Sequence, residues 1–332
     1  MSIHPDSKEP ERTPTLRELA ARRGVLVGTA AEHVPSNPVY SEVLAREFNF
    51  VTPENTMKWG VMSKEPGVYN FARADALVDF AREHKQAVHG HTLLFHSQAA
   101  PYVLDFSGSR RELIDIVRTH IHTVAGRYRG RVQVWDVVNE VFSEDKQGFR
   151  DSPFLQMIGP EFIPMAFRLA READPRAKLI YNDYGLEWRK SDPDFTYRTF
   201  REWLDDGVPL DGIGIQGHFA FDGDEAFDGD YLAEAMGRFA DLGLEVYLTE
   251  VDFRLPMPAT DEMYAAQGQQ YYDAMRVCLA CPTFRGFQTW GFTDARSWVP
   301  GFWKDFGDAL PFDREYRAKP AYHGLARALR DG

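Results

Sequence analysis

The chain has 332 residues, 44% of them hydrophobic and 14% aromatic. That is long for one ordinary domain but normal for an α/β barrel, which runs to about 250 residues and more with insertions. A formal net charge of −12 argues against nucleic acid and anionic membranes as partners and fits a neutral substrate.

Residues 1–13 are polar and charged and lack the apolar stretch of a signal peptide, so they read as a disordered tail. No apolar run reaches the roughly 18 residues of a membrane span. The chain as it stands is expected to be a cytoplasmic monomer; a secreted protein with a trimmed N-terminus would look the same. Short apolar runs then follow at 25–29, 50–52, 87–93, 132–138, 178–181, 212–215, 245–248 and 286–290. Amphipathic stretches alternate with them at 73–84, 112–128, 161–172, 195–204, 231–240 and 262–279, and 321–329 follows the last run. Within these, apolar residues recur at helical spacing, as in Leu77, Phe80 and Ala81, or Leu113, Ile116, Val117 and Ile121. Eight strand–helix units with no repeat and no composition break predict an α/β fold, a single-domain (β/α)8 TIM barrel over residues 14–332. No Gly-x-Gly-x-x-Gly opens the first unit, which removes the main signal for a dinucleotide-binding sheet. Cys278 and Cys281 form one Cys-x-x-Cys pair, half of a zinc site, and are expected to be buried or half-buried free thiols.

The polar residues gather at the C-terminal ends of these runs. Glu54, Asn55 and Lys58 follow the second run; His89, His91, Phe95, His96 and Gln98 follow or end the third. Asn139 and Glu140 follow the fourth, Asn182, Asp183 and Tyr184 the fifth, Gln216 and His218 the sixth, and Glu250 and Asp252 the seventh. Trp290 and Trp298 belong to the eighth. Singly, each reads as a satisfied structural group, the more so a lone His or Asn; together, on the end of a barrel where active sites are built, they read as one site. Amide, hydroxyl and carboxyl groups beside tryptophans suit sugar rings, whose hydroxyls need partners and whose C–H faces stack on aromatics. Two carboxylates on different strands, Glu140 and Glu250, supply what glycoside hydrolysis needs. Two structural acids in polar networks would leave the same trace. Asp252 and His218 close to Glu250 favour an ionised group there. Glu140 must hold a proton near neutral pH, and proximity to ionised Glu250 is the natural cause.

The chain resembles the family 10 glycoside hydrolases, the endo-β-1,4-xylanases. The likeness is carried by Phe50-Val51-Thr52-Pro53-Glu54-Asn55-Thr56-Met57-Lys58-Trp59, Gly90-His91-Thr92-Leu93-Leu94-Phe95-His96-Ser97-Gln98, Trp135-Asp136-Val137-Val138-Asn139-Glu140, Tyr181-Asn182-Asp183-Tyr184, Gly214-Ile215-Gln216-Gly217-His218, Leu248-Thr249-Glu250-Val251-Asp252 and Thr289-Trp290-Gly291-Phe292-Thr293-Asp294. The resemblance implies a retaining hydrolase of xylan or xylo-oligosaccharides with no cofactor and no metal. It makes Glu140 the acid/base and Glu250 the nucleophile, about 5–5.5 Å apart. Asn139 would bond the sugar 2-hydroxyl. His218 would bond Glu250, with its tautomer fixed by Asp252, and Gln216 would join that network. Glu54, Asn55, Lys58, His91 and Gln98 would line the glycone side, Trp290 and Trp298 the floor and wall, and Tyr184 the leaving-group side.

Against the family pattern, Phe95 replaces a tryptophan beside the cleaved sugar, His89 a basic Arg or Lys, and Gly185 an asparagine, with Glu187 and Trp188 beyond. Phe284 stands where many members carry the second cysteine of a disulfide. A same-fold β-glycosidase acting on short oligosaccharides remains an alternative. So do a metal-dependent hydrolase using His89, His91, His218 and Asp252, and a non-catalytic sugar-binding barrel.

Overall fold

The computed structural model describes residues 13–32, 37–188 and 193–331; residues 1–12 of the expected tail lie outside them. Eight parallel strands make a closed barrel: β1 Leu26–Ala31, β2 Phe50–Pro53, β3 Ala87–Gly90, β4 Val134–Asn139, β5 Lys178–Asp183, β6 Gly212–Ile215, β7 Glu245–Pro256 and β8 Phe284–Thr289. Each pairs with the next, and β8 returns to β1 through Leu26 opposite Gly286. All eight expected units are present.

Two strands differ from their predicted extents by more than two residues at one end, each for a hydrogen-bonding reason. The third run, read as continuous over 87–93, breaks after Gly90. There the Leu93 N–H and the Thr92 hydroxyl both bond the Asp136 carbonyl, at 2.9 and 2.8 Å, and the chain resumes as a short strand, Leu94–Phe95, beside β4. The seventh, read as 245–248, runs on to Pro256. Beyond the barrel rim it gains new partners, His218–Ala220 in parallel and Phe306–Gly307 in antiparallel. Between β1 and β2 lies a helix, Pro38–Glu47, that periodicity did not pick out. Its start is nevertheless written in the sequence: the Asn37 Oδ1 accepts the Val39 and Tyr40 N–H groups, and Pro38 takes the first helical position.

The barrel interior changes character along its axis. Near the strand N-termini Phe50, Val134, Ile180 and Tyr247 pack into an apolar plug with Leu26 and Ala87. Farther along, the interior turns polar: His89 bonds Asp136 Oδ1 and Gln288 Oε1, each at 2.8 Å. The site is therefore built on a polar layer that rests on a dry base.

Outside, the helices bury one face each. Helix Arg110–Arg127 is opened by a Ser109/Glu112 capping box and buries Leu113, Val117, Ile121 and Val124. Each such side chain contributes about 1.5–3 kcal/mol. Helix Asp261–Ala280 meets helix Pro320–Asp331 backbone to backbone. A Cβ on Gly324 would come within 2.0 Å of the Gly268 carbonyl oxygen, so glycine alone fits there. Cys278 is buried, Cys281 half-buried, and both are free, as expected. Among the described residues no helix is long and apolar enough to cross a membrane.

Candidate active site

Four neighbouring strands deliver the central groups. Asn139 ends β4, and Glu140 follows it in a left-handed conformation, φ 56°. A non-glycine residue there costs on the order of 1–3 kcal/mol and persists only where its surroundings fix it. They do so: the Glu140 N–H bonds the Asn182 carbonyl at 2.9 Å, and its own carbonyl accepts from Arg150 Nε at 3.1 Å. Glu250 sits inside β7, its N–H bonded to the Gln216 carbonyl at 2.8 Å.

A chain of amides joins the two carboxyls. Glu140 Oε1 accepts from Asn139 Nδ2 and Gln216 Nε2, both at 3.0 Å. Asn139 Oδ1 accepts from Asn182 Nδ2 at 2.9 Å, and that same nitrogen donates to Glu250 Oε1 at 2.7 Å. Asn182 is thus the bridge; the sequence reading placed it at a strand end but gave it no role. With both donors on Oε1 of Glu140, a proton on that group belongs on Oε2. Gln216, expected on the Glu250 side, bonds Glu140 instead, because β6 ends between β5 and β7 and its amide reaches across.

The two carboxyls sit in opposite electrostatic settings. Burial raises Glu140 to about 7, with Asp183 and then Glu250 adding to it and the Gln216 bond opposing. The expected cause, Glu250 alone, is corrected: removal from water comes first, and a second carboxylate contributes. That carboxylate, Asp183, is fully buried and paired with Lys146 at 2.9 Å, and it also accepts from the Tyr181 hydroxyl. Glu250 lies below the ordinary carboxylate range. Its burial works against this, but the bond from His218 and the neighbouring His91 outweigh it. Burial likewise opposes charge on His218, yet Asp252 and Glu250 hold it at about 10. Its Nδ1 meets Asp252 Oδ2 at 3.0 Å and its Nε2 meets Glu250 Oε2 at 3.2 Å. As an imidazolium it donates from both nitrogens, so Asp252 fixes its charge and orientation rather than a tautomer. Trp298 Nε1 donates to the same Asp252 oxygen at 2.9 Å.

Around these groups lies a cleft of about 540 Å³. Of the expected residues, Lys58, His91, Phe95, Gln98, Asn139, Glu140, Tyr184, Gln216, His218, Glu250, Trp290 and Trp298 line it. Asp252 lies behind His218. Glu54 and Asn55 are off the wall, beside Lys58, whose Nζ donates to Asn55 Oδ1 at 3.0 Å; burial and Glu32 raise Glu54 to about 7. The walls also contain Glu144, Trp188, Glu225, Phe302 and Trp303, which the sequence reading left out of the site. The Tyr184 hydroxyl donates to Glu144 and accepts from Arg150 Nη2, the latter at 2.7 Å. Across the cleft, Arg254 pairs with Glu225 and lies 4.1 Å over the Trp303 ring. These residues come from loops and short helices beyond the strand ends, whose course no local pattern announces. Trp303 alone had a signal, as a tryptophan five residues beyond Trp298.

Among the described residues, the histidine pair of the third run and His218 do not surround a common metal position. Both His89 and His91 bond Asp136, at 2.8 and 2.7 Å, and among the described residues no group of three or more His, Cys, Asp or Glu side chains is placed around a common metal position. At His89 burial opposes charge, but Asp136 outweighs it and holds the imidazole above its ordinary value.

The sequence profile of Glycosyl hydrolase family 10 matches residues 15–328. Endo-1,4-beta-xylanase B of Thermotoga neapolitana is 40% identical over 321 residues, 95% of this chain and 92% of that protein. The crystal structure of native xylanase 10B from Thermotoga maritima superposes with a TM-score of 0.91 at 42% identity, covering 96% of this chain and 98% of that one. Xylanase 10B from Thermotoga petrophila in complex with xylobiose gives a TM-score of 0.93 at 40% identity, covering 97% and 99%. With a (β/α)8 barrel, two carboxyls at its C-terminal face and a family match over nearly its whole length, this chain is a hydrolase that belongs to glycosyl hydrolase family 10.

Proposed function

We propose that the chain is a retaining endo-β-1,4-xylanase acting on xylan and xylo-oligosaccharides by double displacement. The observation that carries this is the opposite tuning of two bridged carboxyls at one cleft floor, Glu140 up to about 7 and Glu250 below the ordinary range. The relatives named above are xylanases, and one of them holds xylobiose, which supports the substrate class.

In this reading Glu250, ionised by His218 and Asn182, attacks the anomeric carbon. Glu140 passes its proton to the glycosidic oxygen as that bond breaks, leaving a glycosyl ester on Glu250. Glu140, now a carboxylate, takes a proton from water, which displaces Glu250 and restores both groups. Asn139, whose amide already faces Glu140, bonds the 2-hydroxyl as the ring flattens. Lys58, His91, Gln98 and Phe95, with Glu54 and Asn55 behind Lys58, hold the glycone. Trp290 and Trp298 give the ring an apolar floor and wall, and Tyr184, set by Arg150 and Glu144, meets the leaving sugar.

The test is a product profile on xylan and on xylo-oligosaccharides, with the anomer of the first product read by proton NMR. Internal cleavage of xylan giving β-anomers is expected. An α-anomer would overturn retention. Removal of single xylose units from short oligosaccharides, with xylan untouched, would favour the β-glycosidase.

A further inference from the structure

One carboxyl group away from the cleft has no part in the steps above. Glu187, on the loop after β5, is fully buried; its Oε1 accepts the Gly217 N–H at 2.9 Å, and its Oε2 has no hydrogen-bond partner among the described residues. Gly217 stands between Gln216, whose amide bonds Glu140, and His218, whose ring bonds Glu250. On one side this turn is tied to β7, through the Glu250 N–H on the Gln216 carbonyl at 2.8 Å and the Asp252 N–H on the Gly217 carbonyl at 3.3 Å. On the other side it is tied to β5 through the Gln216 N–H on the Asp183 carbonyl at 2.9 Å. Gly217 itself has φ +80°, and a Cβ there would come within 3.1 Å of Val251 Cγ2. The turn therefore cannot be braced by a side chain of its own, and its central N–H would be left unpaired in the interior without Glu187.

We propose that Glu187 is a positioning residue: it anchors the Gln216–Gly217–His218 turn and so keeps one hydrogen-bond donor on each of Glu140 and Glu250. The inference rests on the roles proposed above for those two carboxyls. Burying a carboxyl for one main-chain bond is costly unless that bond fixes something else; here it fixes the residue between the two donors. Among the described residues, the charged groups that act on Glu187 are His218 and Lys146. Burial raises it to about 7, while these charges and the Gly217 bond pull it down.

The consequence has a sign. The Gln216 bond lowers the Glu140 pKa, and the His218 bond and charge lower that of Glu250. Loosening the turn weakens both, so both limbs of the pH profile must move upward together. Glu187→Leu removes the acceptor at similar volume, and Glu187→Gln retains one acceptor oxygen. For kcat/KM on an aryl xylobioside against pH, Glu187→Leu is expected to displace both limbs upward by about half a unit or more, and Glu187→Gln to keep them within about 0.2 unit. In Glu187→Leu kcat falls by about tenfold to a hundredfold with KM little changed. A role in the scaffold alone would lower Tm and leave the limbs in place, and that result overturns the proposal.

A second reading needs no turnover. In an imidazole NMR titration, His218 should fall by about one unit or more in Glu187→Leu, as its carboxylate partners draw away, and hold its position in Glu187→Gln. An unmoved His218 in Glu187→Leu overturns the proposal. If Glu187→Leu does not fold, Glu187→Gln decides: limbs and His218 titration kept support the anchor, and displacement of either overturns it. A wild-type protein inactive on xylan and aryl xylobioside would sink the proposed function, while the His218 titration would still test Glu187.

Discussion

The floors beneath Glu140 and Glu250 differ in one respect: which groups stand behind the carboxyl. Glu250 has donors on both oxygens, Asn182 at 2.7 Å and the His218 imidazolium at 3.2 Å. Glu140 has neutral amides on one oxygen, and a buried carboxylate, Asp183, raises its pKa further. Glu250 is buried and Glu140 half-buried, so removal from water alone would push both upward. The split comes from His218 and His91 on one side and one extra anion, Asp183, on the other. A barrel that places like residues at equivalent strand ends can thus separate an acid from a nucleophile by what stands behind each.

The largest break in that comparison is Glu250→Ala. Turnover should fall by on the order of 10⁴-fold or more on every substrate, since no glycosyl ester can form. Azide or formate should restore part of it with inverted product, and normal retaining activity would refute the role. Glu140→Ala is next. Xylosides with alkoxide leaving groups should slow by about 10²–10⁴-fold, while dinitrophenyl glycosides still form the glycosyl-enzyme quickly. Equal losses for the two substrate classes in pre-steady-state measurements would remove Glu140 as the acid.

His218→Ala sharpens the comparison by deleting the cation that is hydrogen-bonded to Glu250. Glu250 must be ionised to attack, so the acid limb of kcat/KM should move upward by about one to two units while the basic limb stays near its place. Asp183→Asn deletes the anion. The Glu140 pKa should drop, moving the basic limb to lower pH by about half a unit to one unit. Lys146, then buried without its partner, should cost about 3–5 kcal/mol of stability. A basic limb unmoved in folded Asp183→Asn would show that Asp183 does not act on Glu140.

The smallest effect concerns Phe95, which lines the cleft with its ring edge-on to His96, centroids 5.0 Å apart. Phe95→Trp should refill the wall and raise the xyloside-to-glucoside ratio of kcat/KM by about fivefold, the scale of one small group in a pocket. Matched aryl xylobioside and cellobioside on both proteins read it directly; an unchanged ratio would make the substitution neutral.

How much of this was legible in sequence follows from how local each signal is. Strand ends announce themselves by a polar residue closing an apolar run, so Glu140, Glu250, His218 and Gln216 could be found, and with them the barrel. Which oxygen Gln216 reaches, and that Asn182 bridges the carboxyls, depends on strands side by side in the closed barrel, a relation no single run encodes. Lys146 is more instructive. It lies in the loop between Glu140 and Arg150 without periodic pattern, yet it is fully buried on Asp183. Only the folded loop brings it there, and with it the ion pair that holds the anion behind Glu140. The extension of β7 to Pro256 was missed for the same reason, since its added partners come from residues 218–220 and 306–307.

The most direct measurement of this split is a ¹³C NMR titration of the glutamate side-chain carboxyls in the substrate-free enzyme, assigned with Glu140→Gln and Glu250→Gln. Glu250 should titrate below the ordinary carboxylate range and Glu140 at about 7. Two carboxyls titrating together in the ordinary range, or Glu250 above Glu140, would contradict the account.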